Sequence, residues 1–499
     1  MKNWTTFGRG AAVSAIALSI AGVAMAQVTT SAIRGSVTDE NGAAVAGATV
    51  TVLHEPSGTV SMATTNAAGQ FSAQNLRVGG PYSLTISGEG FVSARAEDVY
   101  ANLGTDTDLD LVIARDDDAA RMETVVITGS AMQVAQVSTG PSSVYNLATL
   151  ENAPAMNRDI KDIVRLDPRV YVDEAFNDSI NCAGANPRYN SLTVDGARLS
   201  DNFGLNSNGY PTERIPFSFD SIEQVSVELA PFDVEYGQFT ACNINAVTKS
   251  GGNEIHGGVF YDYTSDSLTG DETDGIARDL GDFDEKRYGF NVGMPLIKDK
   301  LFLFGSYEKF EGANIFGYTP ESAGVTQAEY DQIISIAEGY GYVSGGLPSS
   351  LAVEDEKIFV KLDWNITNDH RAAFTYNYND GFNFSPSDSG SSRLADGNHY
   401  YERGAELQNY SGALYSDWTD TFSTEFRVTY VDLDNRQIPV AGLDNFGEIQ
   451  IDTDGGSTVY LGADDSRHAN KLAYTTLNYK GKADWTLGDH VVTFGAERE

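Results

Sequence analysis

The sequence predicts a mainly β chain in three folded parts: a small all-β unit, a compact α+β unit, and the N-terminal part of a transmembrane antiparallel β-barrel. Three observations predict it. From residue 254 onward, strands alternate in side-chain character over roughly ten residues or more, with aromatics recurring near their ends. Beyond the first 26 residues no apolar run reaches the roughly 18 that a membrane helix needs. A membrane form of this chain is therefore a closed barrel, which satisfies its own backbone groups. Upstream of residue 250 the texture is different, with short strands, tight turns and a helical stretch.

The totals fit several domains in 499 residues, with 50 Gly, 25 Tyr, 24 Phe and 4 Trp, and a mean hydropathy of −0.27. The formal charge of −37 argues against a nucleic-acid partner, whose phosphates it would repel. It fits a solvated acidic surface or a face that gathers cations.

Residues 1–26 read as an export signal. Lys2 and Arg9 supply the positive start, residues 11–23 the apolar run, and Ala24-Met25-Ala26 the small-residue cleavage site before Gln27. Cleavage between Ala26 and Gln27 removes two cations and no acid, which takes the charge to −39.

Residues 27–114 form the all-β unit. Gly35-Ser36-Val37-Thr38-Asp39, a turn at Asn41-Gly42 and a strand from Val45 to Val52 open it. A hairpin at residues 65–71 and a strand from Tyr82 to Ile86 follow. The pattern resembles the carboxypeptidase-regulatory-like sandwich, an immunoglobulin-type fold. Catalysis does not follow from that name, because a zinc site needs clustered ligands and His54 is the only histidine here.

Residues 115–130 are a linker. Asp116-Asp117-Asp118 resists packing, and Glu123-Thr124-Val125-Val126-Ile127-Thr128 follows as a β-branched strand with no evident partner in its flanks. It is either an edge strand of the next domain or a strand kept free for another protein to pair with by β-addition.

Residues 131–252 form the α+β unit. Ser143 to Asn146 is a short strand. Asn157 caps a helix carrying Ile160, Ile163 and Val164, which Pro168 closes. Leu192 to Leu199 is a hairpin around Asp195-Gly196. An alternating strand at residues 224–229 leads to Cys242-Asn243-Ile244-Asn245-Ala246-Val247-Thr248-Lys249-Ser250-Gly251, then Gly252-Asn253 and His256-Gly257. This passage closely resembles the plug-to-barrel junction of TonB-dependent outer-membrane receptors, in particular the Oar-like branch. Pro187-Arg188-Tyr189-Asn190, Val194-Asp195-Gly196 and Gly204-Leu205-Asn206 resemble plug motifs of the same branch. Arg188, Asn190, Asp195, Gly196, Asn245 and Lys249 are the residues that carry it. By position, Glu123 to Thr128 then resembles the TonB box.

From residue 253 the chain reads as barrel. Ile358, Val360, Leu362 and Trp364 oppose Lys361, Asp363 and Asn365, and Phe374, Tyr376 and Tyr378 oppose Thr375, Asn377 and Asn379. Short turns at Asn368-Asp369 and residues 418–420 alternate with long loops at residues 265–285 and 312–355. About nine strands precede Glu499, whereas plugged transporters use about 22, and a plug of this size is roughly 35 Å across. The expectation is an N-terminal piece of a longer receptor.

The two cysteines, Cys182 and Cys242, lie in an exported chain, where an even count favours a disulfide. Such a bridge would stabilise by roughly 4 kcal/mol on the chain-entropy model; two buried free thiols are the alternative. Gly is commoner near Cys242 in the Oar-like pattern. The six histidines include no pair at metal-ligand spacing, and no nucleophile elbow or phosphate loop is present. No cofactor is expected beyond Ca²⁺ on the acidic loop with Asp266, Asp271, Glu272, Asp274, Asp279, Asp282 and Asp284, whose spacing does not match an EF-hand.

The resemblance implies a receptor in the outer membrane, surrounded by its lipids, that imports a scarce extracellular solute. It also implies a periplasmic sandwich domain and energy relayed by TonB through the Thr124–Thr128 strand. The alternatives are a surface protein for adhesion or signalling that uses the barrel as a platform, a passive porin, and a secreted enzyme.

Overall fold

The structure, a computed structural model, describes residues 28–116, 125–127, 132–137, 140–174, 178–229, 234–270, 272–273, 275–277, 282–442, 446–467, 470–488 and 490–499. The export signal expected at residues 1–26, with its cleavage site between Ala26 and Gln27, lies outside the described residues.

The first unit is a sandwich of β1 (Ser31–Asp39), β2 (Thr49–His54), β3 (Thr59–Thr64), β4 (Gln70–Leu76), β5 (Gly79–Ser87), β6 (Ala94–Ala101) and β7 (Asp106–Ile113). Alternate residues such as Val50 and Val52, Leu84 and Ile86, Leu109 and Leu111 point into one core. Each such fully buried aliphatic contributes about 1.5–3 kcal/mol relative to exposure. The strand expected from Val45 begins only at Thr49. Gly47, at φ 74°, turns the chain, and the Val45 amide bonds back to the Val37 carbonyl.

Two further strands leave the sandwich yet stay with it. In β8 (Val125–Ile127), Val125, Val126 and Ile127 pair in parallel with Ala94, Arg95 and Ala96 of β6. β9 (Met132–Val137) pairs antiparallel with β7. The sheets therefore run β3-β2-β5-β6-β8 and β4-β1-β7-β9. This corrects the reading of residues 123–128 as a strand without a partner. The sandwich leaves the outer edge of β6 open, and an unpaired edge is a template for any nearby strand. Glu123, Thr124 and Thr128 lie outside the described residues.

The second unit comprises β10 (Ser142–Tyr145), α1 (Leu147–Asn152), α2 (Ile160–Val164), β11 (Val170–Asp173), β12 (Ser179–Cys182), β13 (Ser191–Val194), β14 (Ala197–Arg198), β15 (Ile222–Leu229) and β16 (Cys242–Thr248). Five of its strands form a mixed sheet, β10-β15-β16-β13-β14, with β13 parallel to β16. Ile160, Ile163 and Val164 of α2 are fully buried against it. The cap of α2 is Asp159, not Asn157. An N-cap oxygen must reach amides two or three residues on, and Asp159 Oδ1 accepts from the Lys161 amide at 2.9 Å. Asn157 instead donates its own amide to Asp162. Asp195 (φ 46°) and Gly196 (φ 77°) make the β13–β14 turn, a tight hairpin that needs two positive φ angles.

The remaining elements are β17 (His256–Ser265), β18 (Glu272–Thr273), β19 (Ile276–Ala277), β20 (Asp284–Ile297), β21 (Leu301–Ile315), α3 (Gln327–Gly339), β22 (Ser350–Asn365), β23 (His370–Ser385), β24 (Arg393–Ala395), β25 (Tyr401–Thr419), β26 (Phe422–Pro439), β27 (Ile449–Asp452), β28 (Thr458–Leu461), β29 (Leu472–Leu487) and β30 (His490–Arg498). Among the described residues, nine of these form one antiparallel sheet, β17-β20-β21-β22-β23-β25-β26-β29-β30, curved around the second unit.

The faces of this sheet are inverted relative to a water-soluble one. On β22 the buried side chains are Val353, Asp355, Lys357, Phe359, Lys361, Asp363 and Asn365, while Trp364 is 51% exposed. On β23, Thr375, Asn377 and Asn379 are buried and Phe374 is exposed. Polar residues inside and aromatic or aliphatic residues outside match a wall between lipid and a polar interior.

One end of the sheet carries short turns, such as residues 298–300, 366–369 and 420–421. The other carries long connections, and these are themselves folded. Strands β21 and β22 reach Ile315 and Ser350, so the loop expected at residues 312–355 is shorter than its predicted bounds. It holds α3, opened by a Thr326–Glu329 capping box. Ala323, Val325, Tyr330, Tyr342, Leu394, Val459 and Leu461 make a separate core, beside which β24, β28 and β27 form a small sheet.

Candidate functional site

The α+β unit is seated in the wall by polar contacts. The Asp195-Gly196 turn is the best-held point. Asp195 Oδ1 accepts from the Thr248 amide at 3.0 Å, and Oδ2 accepts from its hydroxyl at 2.5 Å. From the wall, Lys361 Nζ stands 3.4 Å from Asp195 Oδ1, and Arg427 donates to the Asp195 carbonyl. A Cβ on Gly196 would come within 2.9 Å of the Arg427 guanidinium. Arg427 also bonds Glu425 (2.9 Å), Tyr415 and Thr29. Glu235, in the connection before β16, is held by Lys482 of β29. Further along β22 and its neighbour β21, Ser218 donates to Glu308 of β21 at 2.9 Å, and Lys357 of β22 sits 2.8 Å from Asp355. Near the long connections Arg403 bonds Glu213 and Asn206, both at 2.9 Å.

Such an interface is specific but not oily. Buried ion pairs repay little net stability because each charge loses its hydration, whereas an apolar seat of equal area would be hard to part.

The other motif residues hold the unit together internally. Arg188 donates to the Gly204 carbonyl (3.3 Å) and Asn190 to the Ile180 carbonyl (2.7 Å). Asn245 receives the Thr193 hydroxyl and donates to the Val28 carbonyl, which ties the unit to the start of the sandwich. The Lys249 amide bonds the Ser221 carbonyl. Cys182 and Cys242 are joined, with Cα atoms 5.9 Å apart and a sequence separation of 60. The bond pins the end of β12 to the start of β16.

Two cavities flank the seated unit. At the short-turn end the sandwich lies across the mouth. Arg77 donates to Asn365 (3.0 Å) and faces Asp363 (3.6 Å), and Asn75 donates to Asp417 (2.7 Å). Between sandwich, unit and wall is a cavity of ≈ 640 Å³. Glu223 faces it, and burial pushes its carboxyl up to about 7 despite Lys249 and Lys361. At the other end, a cavity of ≈ 460 Å³ is lined by Asp159, Lys161, Asp178, Glu213, Arg214 and Glu354, among others. It is a charged pocket under the long connections. Sequence reasoning missed these residues because none belongs to a local motif.

Of the acidic loop proposed for Ca²⁺, Asp271, Asp274 and Asp279 lie outside the described residues. Asp266, Glu272, Asp282 and Asp284 flank β18 and β19. Among the described residues, the places where three ligating groups converge are elsewhere, at Asp388, His399 and Asp464 and at Glu448, Asp464 and Asp465.

Residues 135–242 match the family description "TonB-dependent Receptor Plug Domain". The chain thus carries the plug domain of TonB-dependent receptors. Residues 32–114 match the "Carboxypeptidase regulatory-like domain" and residues 247–329 an "Outer membrane beta barrel domain". The chain is 32% identical over 162 residues to the "TonB-dependent transporter Oar" of Myxococcus xanthus, a match that spans 30% of this chain and 14% of that protein. It is also 32% identical over 217 residues to the "Probable TonB-dependent siderophore receptor PirA" of Acinetobacter baumannii, covering 39% of this chain and 26% of the relative. Its fold is similar to that of the outer membrane transporter YddB from Escherichia coli, with a TM-score of 0.53 at 14% identity. That likeness covers 71% of this chain and 47% of YddB. The receptor thus spans a minor part of the curated relatives it matches and about half of the solved one.

Proposed function

We propose that this receptor imports a scarce solute across the outer membrane, energised by TonB drawing on the segment around Val125–Ile127. The observation that carries the reading is a plug seated by polar contacts inside a wall whose faces are inverted for lipid. In this reading the long connections and the charged apex cavity receive the solute outside. The sandwich stands in the periplasm, and the seat at Asp195, Lys361 and Arg427 parts when the plug is pulled. A receptor rather than an enzyme accounts for these features.

The test is a pair of variants. Val126→Pro removes a backbone donor and fixes φ, which a paired strand tolerates poorly. Val126→Ala keeps the donor at a cost within the roughly 1 kcal/mol span of β preference. A growth panel of iron chelates, glycans and peptides identifies the solute. The proline variant is then expected to lose energised uptake and the alanine variant to keep most of it, with surface abundance and solute binding preserved in both. Full uptake by the proline variant would remove this segment from the mechanism.

A further inference from the structure

Two of the long connections meet at a histidine. Asp388 and His399 come from the connection between β23 and β25, and Asp464 from that between β26 and β29. One ligand atom of each lies within 4.8 Å of the other two. His399 is 0% exposed. Its Nδ1 is 3.0 Å from the carbonyl oxygen of Gly462. That oxygen can only accept, so Nδ1 carries a proton. Nε2 is then turned toward Asp388 Oδ2, at 3.3 Å. A neutral ring held this way presents a lone pair to carboxylate oxygens, and acceptors facing acceptors call for a positive charge between them.

The spacing suits an ion. Two donors bound tetrahedrally at about 2.0 Å from a cation stand about 3.3 Å apart. The second ring nitrogen on a backbone carbonyl is how proteins orient a ligating imidazole. The carboxylates are oriented as well. Arg393 Nη1 donates to Asp388 Oδ1 at 2.9 Å, on the oxygen away from the ring. The amides of Ser466 and Arg467 donate to Asp464 Oδ1 at 2.8 and 3.0 Å, and the Ser387 hydroxyl donates to Oδ2. Glu448 and Asp465 join Asp464 in a second acidic group. Four carboxylates against the Arg393 guanidinium leave the locale attractive to a dication.

We propose that Asp388, His399 and Asp464 bind a divalent first-row transition cation of the Zn²⁺ class, which staples the two outer connections together. The imidazole selects against Ca²⁺ and Mg²⁺, which take oxygen ligands. The rival account is a plain ion pair between protonated His399 and Asp388, with no metal. To separate them, the untagged membrane-extracted protein is stripped with chelator, exposed to Zn²⁺, passed through gel filtration and assayed for metal. One Zn²⁺ per chain is expected, with protection of residues 440–471 from protease when the ion is bound. His399→Gln and Asp388→Asn are each expected to weaken binding at least tenfold and to lose that protection. Asp388 is only partly buried, so its variant guards against misfolding at His399. The proposal is overturned if the wild type retains less than a tenth of an ion per chain, or if both variants retain Zn²⁺ as the wild type does.

Discussion

Glu223 stands where sandwich, plug and wall meet. A Cβ on Gly79 would lie 2.5 Å from its Oε1, so the sandwich approaches it as backbone. Burial raises its folded-state pKa from 4.5 to about 7, with Glu151 adding to the rise and Lys249 and Lys361 opposing it. A raised carboxyl favours the folded state only while it is protonated. Its contribution is complete below about pH 4.5 and is lost as pH climbs through about 7. Wild type and Glu223→Gln are therefore expected to unfold at nearly the same temperature at pH 4, and the glutamine variant to be the more stable by a few degrees at pH 8. Parallel melting curves across that range would remove Glu223 from the account. The Asp195-Gly196 turn was legible in the sequence because a tight hairpin is a local event. Its partners were not. Lys361 and Arg427 lie 166 and 232 residues away and reach it only once the wall has curved round. His399 was hidden for the same reason, since its carboxylates arrive from two separate connections.

At the level of elements, the strand around Val126 was legible as a strand and its partner was not. Parallel pairing of β8 with β6 joins segments some thirty residues apart with no turn signal between them. The pairing makes a prediction that the Val126 variants do not. Ala96 and Ile127 are register partners, so cysteines at both positions should oxidise to a cross-link in the resting receptor. Uptake is expected to fall with the cross-link and to return on mild reduction. Efficient cross-linking with undiminished uptake would mean that β8 need not leave the sandwich. The folded outer connections were illegible for a different reason. Their core of Val325, Tyr330, Leu394 and Leu461 is gathered from three connections, each of which reads by itself as a polar loop.

For the molecule as a whole, the decisive property is which face of the nine-stranded sheet meets lipid. The period-2 pattern was plain in the sequence, but alternation alone is silent on which face is inside. Burial of Lys357, Lys361 and Asp363 with exposure of Trp364, Phe374 and Phe426 distinguishes the two faces. Trp4 lies outside the described residues; the other three tryptophans, Trp364, Trp418 and Trp485, are 51%, 59% and 46% exposed on the sheet near its short turns. Interfacial aromatics of this kind belong at the headgroup level. Reconstituted into brominated lipid, the mature receptor should lose most of its tryptophan emission, more with bromines near the headgroup than deep in the chains. Emission indifferent to the lipid would return the sheet to water.

The sandwich across the short-turn mouth gives the receptor two doors in series. In the import proposed above, a solute that passes the plug would still face the contacts of Arg77 and Asn75 with the wall before open water. Strand β8 is an edge slat of that second door, and β9, on the other sheet of the same sandwich, stands between it and the first. A single hand on the strand would lift the latch of one door and then draw the bolt of the other, in that order.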